Sequence, residues 1–466
     1  MNSSTQSPEP HDALLEPEEH VLSTLEKDGS RRWLFPKFVK GYFWLLRRNL
    51  AYVLMAVFVL LPHLRIFGKP VLLLDIAALR FTILGFEFLP SDTPLVALLA
   101  IGTLITIVFV TALFGRVWCG WACPQTVYME FLFRPIDRWF NKTTHSGGKP
   151  RTPMTVGQHL GRLATYLVLC LILSHSFLAY FIGTDRLAQW VQLPPWQHPI
   201  PFLVMMGTVV AMMFDFLFFR EQTCLIACPY GRFQSVMLDR QSLMVAYDAK
   251  RGEPRRKGRE RSEAGDCVDC HRCVDVCPTG IDIRDGLQME CINCTQCVDA
   301  CDDVMTKLKK PMGLISLTSL DGLEGKAKTF FRARTIIYPA ILVVIAILFF
   351  VALDRSSGFN TFIVRNQGNP FTLTGSNVQN GFKLRLTNRD SQLNSYNVEI
   401  LEPTNATIEI LEGTPELQPG QSIQTPIIIR FPASLTSESG RAPVVLKVFD
   451  GNRERTLKTT LLGPRR

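Results

Sequence analysis

The sequence predicts a multi-domain membrane protein: an α-helical core of five transmembrane spans, a cysteine-rich cytoplasmic insert, and a C-terminal immunoglobulin-like β-sandwich. Three observations predict it. Five apolar runs of about 20 residues, the length that crosses a bilayer, lie at about 49–67, 94–115, 160–182, 200–219 and 335–353. Eight of the 13 cysteines crowd into Cys267–Cys301, between the fourth and fifth runs. Beyond residue 357 the apolar residues fall into short alternating runs separated by turn residues.

Composition agrees with such a mixture. With 47% hydrophobic residues among 466 and a mean hydropathy of +0.15, the chain is too apolar for an average soluble protein. At 20% charged it is too polar to be all membrane. The net charge of +9 sits largely beside the spans, where Lys and Arg set orientation. No groove-reading or base-stacking motif accompanies it, so no nucleic-acid partner is expected.

Taken in order, residues 1–40 form a polar tail without a cleavable signal peptide. It ends in a basic, aromatic stretch (Arg31, Arg32, Lys37, Lys40) that continues to Arg47 and Arg48 ahead of the first span. Residues 41–240 hold four spans. The apolar stretch 71–90 is broken by Asp75, Arg80 and Glu87, which makes it an interfacial or re-entrant segment and not a sixth span. Basic residues cluster before span one, between spans two and three, and between spans four and five, whereas 183–199 carries only Arg186. That pattern puts the N-terminus and the 241–334 insert in the cytoplasm of a bacterial cell. After the fifth span (335–354), the 357–466 domain then lies on the periplasmic face of the inner membrane. Its runs Phe382–Thr387, Asn397–Leu401, Ala406–Leu411, Ile427–Phe431 and Val444–Phe449 suggest an antiparallel sandwich. It has no cysteine and no catalytic cluster, which suits a docking module.

The insert carries Cys267-x2-Cys270-x2-Cys273-x3-Cys277-Pro278, then Cys291-x2-Cys294-x2-Cys297-x3-Cys301. This is the ferredoxin-like run that wraps two [4Fe–4S] clusters, the fourth cysteine of each run crossing to the other cluster. The expected sets are Cys267, Cys270, Cys273 and Cys301 for one cluster, and Cys291, Cys294, Cys297 and Cys277 for the other. Paired C-x2-C motifs also bind zinc, but the double rhythm of eight favours clusters. The C-x-x-C-H match at Cys267–His271 is a false haem signal, because both cysteines are already ligands. The basic flank 250–261 reads as a solvated linker, with docking of an anionic donor or lipid headgroups as the alternative.

Four more cysteines form a duplicated motif. Trp118-Cys119-Gly120-Trp121-Ala122-Cys123-Pro124 follows span two, and Thr223-Cys224-Leu225-Ile226-Ala227-Cys228-Pro229 follows span four. The constant offset marks two copies of a two-span unit. Each proline should push Cys123 or Cys228 out of helical geometry and start a new helix. Four thiolates at one membrane edge suit Cu(I), zinc or an iron–sulfur centre, or a dithiol–disulfide couple; structural burial is the plain alternative. Cys170, inside span three, reads as a small core hydrophobe. Asp215 in span four is a candidate proton or ion group. His63, His159 and His175 lack a facing partner for haem.

The five-span core, WCGWACP, CLIACPYGRFQ, the double cluster run and the β tail together resemble the cytochrome c oxidase accessory family CcoG (FixG/RdxA), from about residue 35 onward. The resemblance implies reduction of Cu(II) to Cu(I) for maturation of a cbb3-type oxidase. It implies Cys119, Cys123, Cys224 and Cys228 as the copper-handling or redox thiols, and the oxidase or its copper-delivery factors as partners. A quinol-linked electron conduit of the NapH type and a non-enzymatic assembly scaffold remain the other readings, with a cytoplasmic or quinol electron donor.

Overall fold

The computed structural model describes residues 23–464 apart from 26–29, 67, 77–79, 89–92, 145–146, 256–264, 327–331, 357, 367, 376, 389–391, 412, 414, 419–420 and 437–438. The chain divides into two compact units, Met1–Ile345 and Ala346–Arg466. Among the described residues five helices are long and apolar enough to cross a membrane: Tyr42–His63, Pro94–Phe114, Val156–Ile182, Pro199–Phe219 and Ala333–Leu353. Val53, Leu104, Ile172, Leu203 and Val343 on these helices are exposed, as lipid-facing side chains are.

Two spans are bounded differently from the sequence reading. The first span begins at Tyr42, not near 49, because Arg47 and Arg48 belong to the helix and not to its flank, and it ends at His63, not 67. Arg47 is buried with its Nε donating to the Gly120 carbonyl, and Arg48 lies 5.0 Å over the Trp44 ring. The third span begins at Val156, where Thr155 and Gln158 exchange the side-chain bonds of a capping box. Among the described residues of 71–90, Leu72–Asp75, Arg80–Ile83 and Phe86–Phe88 make a small antiparallel meander and no sixth span. Asp75, one of its interrupting charges, accepts from Arg186 at 2.9 Å.

The spans pack through rings at their ends. Phe133 stacks on Phe216 at 4.1 Å and meets Tyr166 at 4.7 Å, in a core that also holds Cys170 and Val209. Cys170 is thus the buried hydrophobe its surroundings predicted. Beside this core lies a buried charge network joining the two hairpins. Arg134 donates to Glu130 and Glu221, while Arg220 and the Tyr166 hydroxyl donate to Asp137 at 2.8 Å each. Buried charges persist only when paired, so these residues fix one hairpin against the other.

The cysteine-rich segment sits against this end of the bundle. Strands Met244–Tyr247 and Ile315–Thr318 pair antiparallel, and helix Gln296–Lys307 packs with them around Val245, Ile281, Ile283, Val298, Met305 and Leu314. The first span has no local side-chain cap. Asp299, from the cysteine-rich helix, supplies one by accepting from Phe43 N at 3.2 Å and Trp44 N at 2.7 Å. A carboxylate there satisfies orphan N–H groups and complements the helix dipole.

The second unit is an antiparallel sandwich. One sheet runs Thr407–Ile410, Ser422–Pro432, Asn377–Asn388, Phe359–Arg365; the other runs Asn397–Glu402, Arg441–Phe449, Glu454–Leu462. Alternate residues face inward, Val378, Phe382, Leu384 and Leu386 meeting Val444, Leu446, Val448 and Leu461 in one core. Buried Asn380 bridges the sheets, exchanging 2.8 Å bonds with both backbone groups of Leu462.

Candidate iron–sulfur and membrane-edge cysteine site

The two cysteine runs fold alike. Asp269 and His271 flank Cys270 with φ of 51° and 55°, and Asn293 and Thr295 flank Cys294 with φ of 53° and 60°. A left-handed residue among right-handed ones gathers successive N–H groups on a concave side, a nest that binds anionic groups. Asp, Asn and His tolerate this region better than most residues.

The runs line two separate voids. One is bounded by Cys267, Cys270, Cys273 and Cys301. The other is bounded by Cys277, Cys291, Cys294 and Cys297, with Cys273 between the two. Each void is thus lined by three cysteines of one run together with the fourth cysteine of the other. The sulfurs surround each void without closing on a point: among the described residues no three His, Cys, Asp or Glu side chains are gathered tightly enough for a single ion. Four separated thiolates, each meeting its own iron, are what a cubane takes; a zinc ion needs them all about 2.3 Å from one centre. The residues fit two [4Fe–4S] groups. Burial pushes the thiols of Cys273, Cys291, Cys294, Cys297 and Cys301 up, so ligation must displace protons. Cys270 alone among the eight is exposed. His271 is also exposed, its Nδ1 accepting from Arg284.

The first C-x3-C-P motif lies directly on the second cysteine loop. Trp118–Ala122 is a π-helical turn, Cys123 is extended (φ −62°, ψ 127°), and Pro124 opens the helix Pro124–Tyr128. Trp121 Nε1 donates to the Asn293 carbonyl at 3.1 Å. Gly120 abuts the same loop so closely that an added Cβ would stand 2.4 Å from the Ile292 carbonyl oxygen. Arg116 ties the junction by donating to the carbonyls of Met289, Cys291 and Gly231. The second motif repeats the local geometry, with a π-turn at Thr223–Ala227, Cys228 extended, and Pro229 opening Pro229–Met237. The expected helix starts at the prolines are present, although the turns ahead of them are π and not α.

All four membrane-edge thiols lie within each other's electrostatic reach. Burial first, then Cys123, raises Cys119 to about 12; burial first, then Cys123, Cys119 and Cys228, raises Cys224 to about 12. Cys123 is pushed up by burial and held back by the N–H groups of Thr126 and Gln125 at the new helix start. The Cys119 thiol donates to buried Gln234 at 3.0 Å. Asp215 accepts from the Thr223 hydroxyl, so this intramembrane acid orients the residue preceding Cys224. Of the basic flank, Arg251 pairs with Asp266 at 2.6 Å and Arg255 with Glu253 at 2.8 Å, while Arg256, Lys257, Arg259 and Arg261 lie outside the described residues.

Sequence reasoning missed Arg47, Arg116, Gly120, Asn293 and Gln234. One signal was present: Gly120 aligns with Leu225 between otherwise parallel motifs. The loop that presses on the first motif explains why only there the side chain must vanish.

Five apolar helices and two cubane-shaped cysteine sets define a membrane-anchored iron–sulfur electron-transfer protein. Residues 219–320 match the 4Fe-4S dicluster domain, residues 96–143, which include the first C-x3-C-P motif, match a 4Fe-4S binding domain, and residues 349–464 match the IG-like fold at the C-terminus of FixG, putative oxidoreductase. The chain is 35% identical to Protein RdxB of Cereibacter sphaeroides, across 83% of this chain and 85% of that one. It is 32% identical to Protein RdxA of the same organism, across 77% and 80%. Against the nitrogen fixation protein FixG of Rhizobium meliloti it is 35% identical, across 62% and 58%. The chain belongs to the FixG/RdxA family.

Proposed function

We propose that this protein is a membrane-bound cupric reductase that converts Cu(II) to Cu(I) for maturation of a cbb3-type haem–copper oxidase. The observation that carries the proposal is the direct packing of the Cys119–Cys123 turn on the loop holding Cys291 and Cys294, through Gly120 and Trp121. Bound [4Fe–4S] groups supply one-electron chemistry at low potential. The exposed Cys270 gives an electron donor, cytoplasmic or quinol, a solvent-facing point of entry. Cys119, Cys123, Cys224 and Cys228 take Cu(II) as substrate, and one electron makes it Cu(I), which soft thiolates hold better than Cu(II). The Lys and Arg distribution supports an inner-membrane protein with the cysteine-rich insert cytoplasmic and the β domain periplasmic. In that setting the β domain docks the oxidase or its copper-delivery factors.

The test uses purified protein, reduced anaerobically and mixed with Cu(II), with Cu(I) followed by a chelator. The reading requires Cu(I) formation that drops at least tenfold when all four membrane-edge cysteines become serine at unchanged iron content. An unchanged rate overturns the site assignment. Absence of Cu(I), together with cluster reduction sensitive to a quinol analogue, identifies a quinol-linked conduit instead.

A further inference from the structure

Arg47 belongs to neither ligand set, yet it is 1% exposed near the start of the first span. Its Nε donates to the Gly120 carbonyl at 3.0 Å, and Phe131 covers one side with its ring centre 5.4 Å from the guanidinium. Both terminal nitrogens are buried without a hydrogen-bond partner. A buried N–H left unmade is costly, and a guanidinium doubly so. Asp299, whose carboxylate feels this guanidinium, places its hydrogen bonds on the Phe43 and Trp44 amides. Gly120, which accepts from Arg47, lies against the second cysteine loop, an added Cβ there standing 3.0 Å from the Cys294 Cα, so the guanidinium sits beside the second ligand set.

Two other arginines reach the cysteines, and the donors of both are engaged elsewhere. Arg284, beside Cys273 of the first set, is held by Asp282 at 2.6 Å and Asp269 at 2.7 Å. Arg116, beside Cys291, distributes its donors over three backbone carbonyls. Of these three, Arg47 alone brings buried donors without a partner to one ligand set.

We propose that Arg47 sets the order of the two cluster potentials, its free N–H groups donating to the sulfur-rich group held by Cys277, Cys291, Cys294 and Cys297. Taking up one electron adds one negative charge to that group, with no atom or proton transferred. A buried cation beside it favours the added charge in a medium of low dielectric, and hydrogen bonds to sulfur act in the same direction. Arg47 thereby holds the electron at the end next to Cys119 and not at the exposed Cys270 end. The inference rests on the electron route proposed above, but its test needs no copper.

The test is a redox titration of full-length protein in detergent, followed by electron paramagnetic resonance, for the wild type and for Arg47→Met and Arg47→Lys. The Met variant should lower one midpoint by at least a tenfold change in equilibrium constant, about 59 mV for a one-electron couple, leaving the other in place. The Lys variant should fall between Met and wild type. A Cys270→Ser background identifies the midpoint that moves, since it perturbs the other group. Unmoved midpoints at wild-type iron content overturn the proposal. Should the Met variant lose iron, Arg47→Lys is compared with Arg47→Gln. A higher midpoint for Lys supports the role of charge; equal midpoints, or iron lost from all three variants, overturn it. Because these readings precede any Cu(II) addition, a protein that does not reduce copper can still pass or fail.

Discussion

Gly120→Ala probes the junction on which the proposed electron route depends. The new Cβ would stand 2.4 Å from the Ile292 oxygen, 3.0 Å from Asn293 C and 3.0 Å from the Cys294 Cα, all backbone atoms that no rotamer change can move. Ordinary contact begins near 3.4 Å, so the π-turn and the cysteine loop must part by about 1 Å. Such overpacking costs about 1–3 kcal/mol. The same displacement stretches the 3.1 Å bond from Trp121 to Asn293 and the 3.0 Å bond from Arg47 to Gly120, each worth about 1 kcal/mol. The total is about 3–5 kcal/mol, concentrated where the first motif meets the second ligand set. The assay is thermal loss of cluster absorbance in the reduced protein, paired with the initial rate of Cu(II) reduction. Gly207→Ala, inside the fourth span with nothing within 4 Å of the added Cβ, is the control. It should be neutral or gain up to about 1 kcal/mol from better helix propensity. If Gly120→Ala melts with the control and reduces copper at the wild-type rate, the packing argument is refuted.

Three further outcomes are expected. Cys277→Ser should abolish or alter the same paramagnetic signal as Cys294→Ser, and Cys301→Ser the same signal as Cys270→Ser; grouping by run would contradict the crossed ligand sets. Cys119 and Cys224, held near 12 by burial and neighbouring thiols, should alkylate in reduced, metal-free protein about a thousandfold more slowly at pH 8 than a free cysteine. Their raised values leave stability whole below about pH 9 and erode it as pH rises from 9 toward 12, since the unfolded thiols ionise first; labelling at the free-cysteine rate would negate the burial. Asp299→Ala should destabilise the docking of the cysteine-rich segment on the first span by about 1–2 kcal/mol through the lost cap, read as a lower temperature for loss of cluster absorbance, and an unchanged temperature would show that the cap contributes nothing.

Much of the architecture was legible because it obeys local rules. Lipid demands about 20 apolar residues in a row, so the five spans stood out, and period-two alternation exposed the sandwich strands. The helix starts at Pro124 and Pro229 followed from the ring alone. The errors came where tertiary packing overrode local composition. Arg47 and Arg48 marked a boundary by hydropathy, but Gly120 and Phe131 house the first guanidinium and Trp44 covers the second. Asp215, singled out as a candidate proton or ion group, also accepts from the Thr223 hydroxyl, a contact its span does not record. The charged interruptions of 71–90 argued against a sixth span, but the strand pairing that turns the chain back on itself there as a meander was not legible in them.

The sequence by itself determined the ligands: eight cysteines in a fixed rhythm, and four more in a duplicated motif, specify chemistry that needs only the right atoms at short chain separations. Which cysteine of each run crosses to the other void is also implicit in that rhythm. Only the tertiary structure decided which motif touches which ligand set, and from what charge. Arg47, Gly120 and Asn293 are brought together from three segments far apart in sequence, and nothing in their local neighbours records the meeting. The physical reason is range: covalent spacing fixes ligation within a few residues, whereas the electrostatics and contact distance that direct an electron arise where distant backbones close on one another.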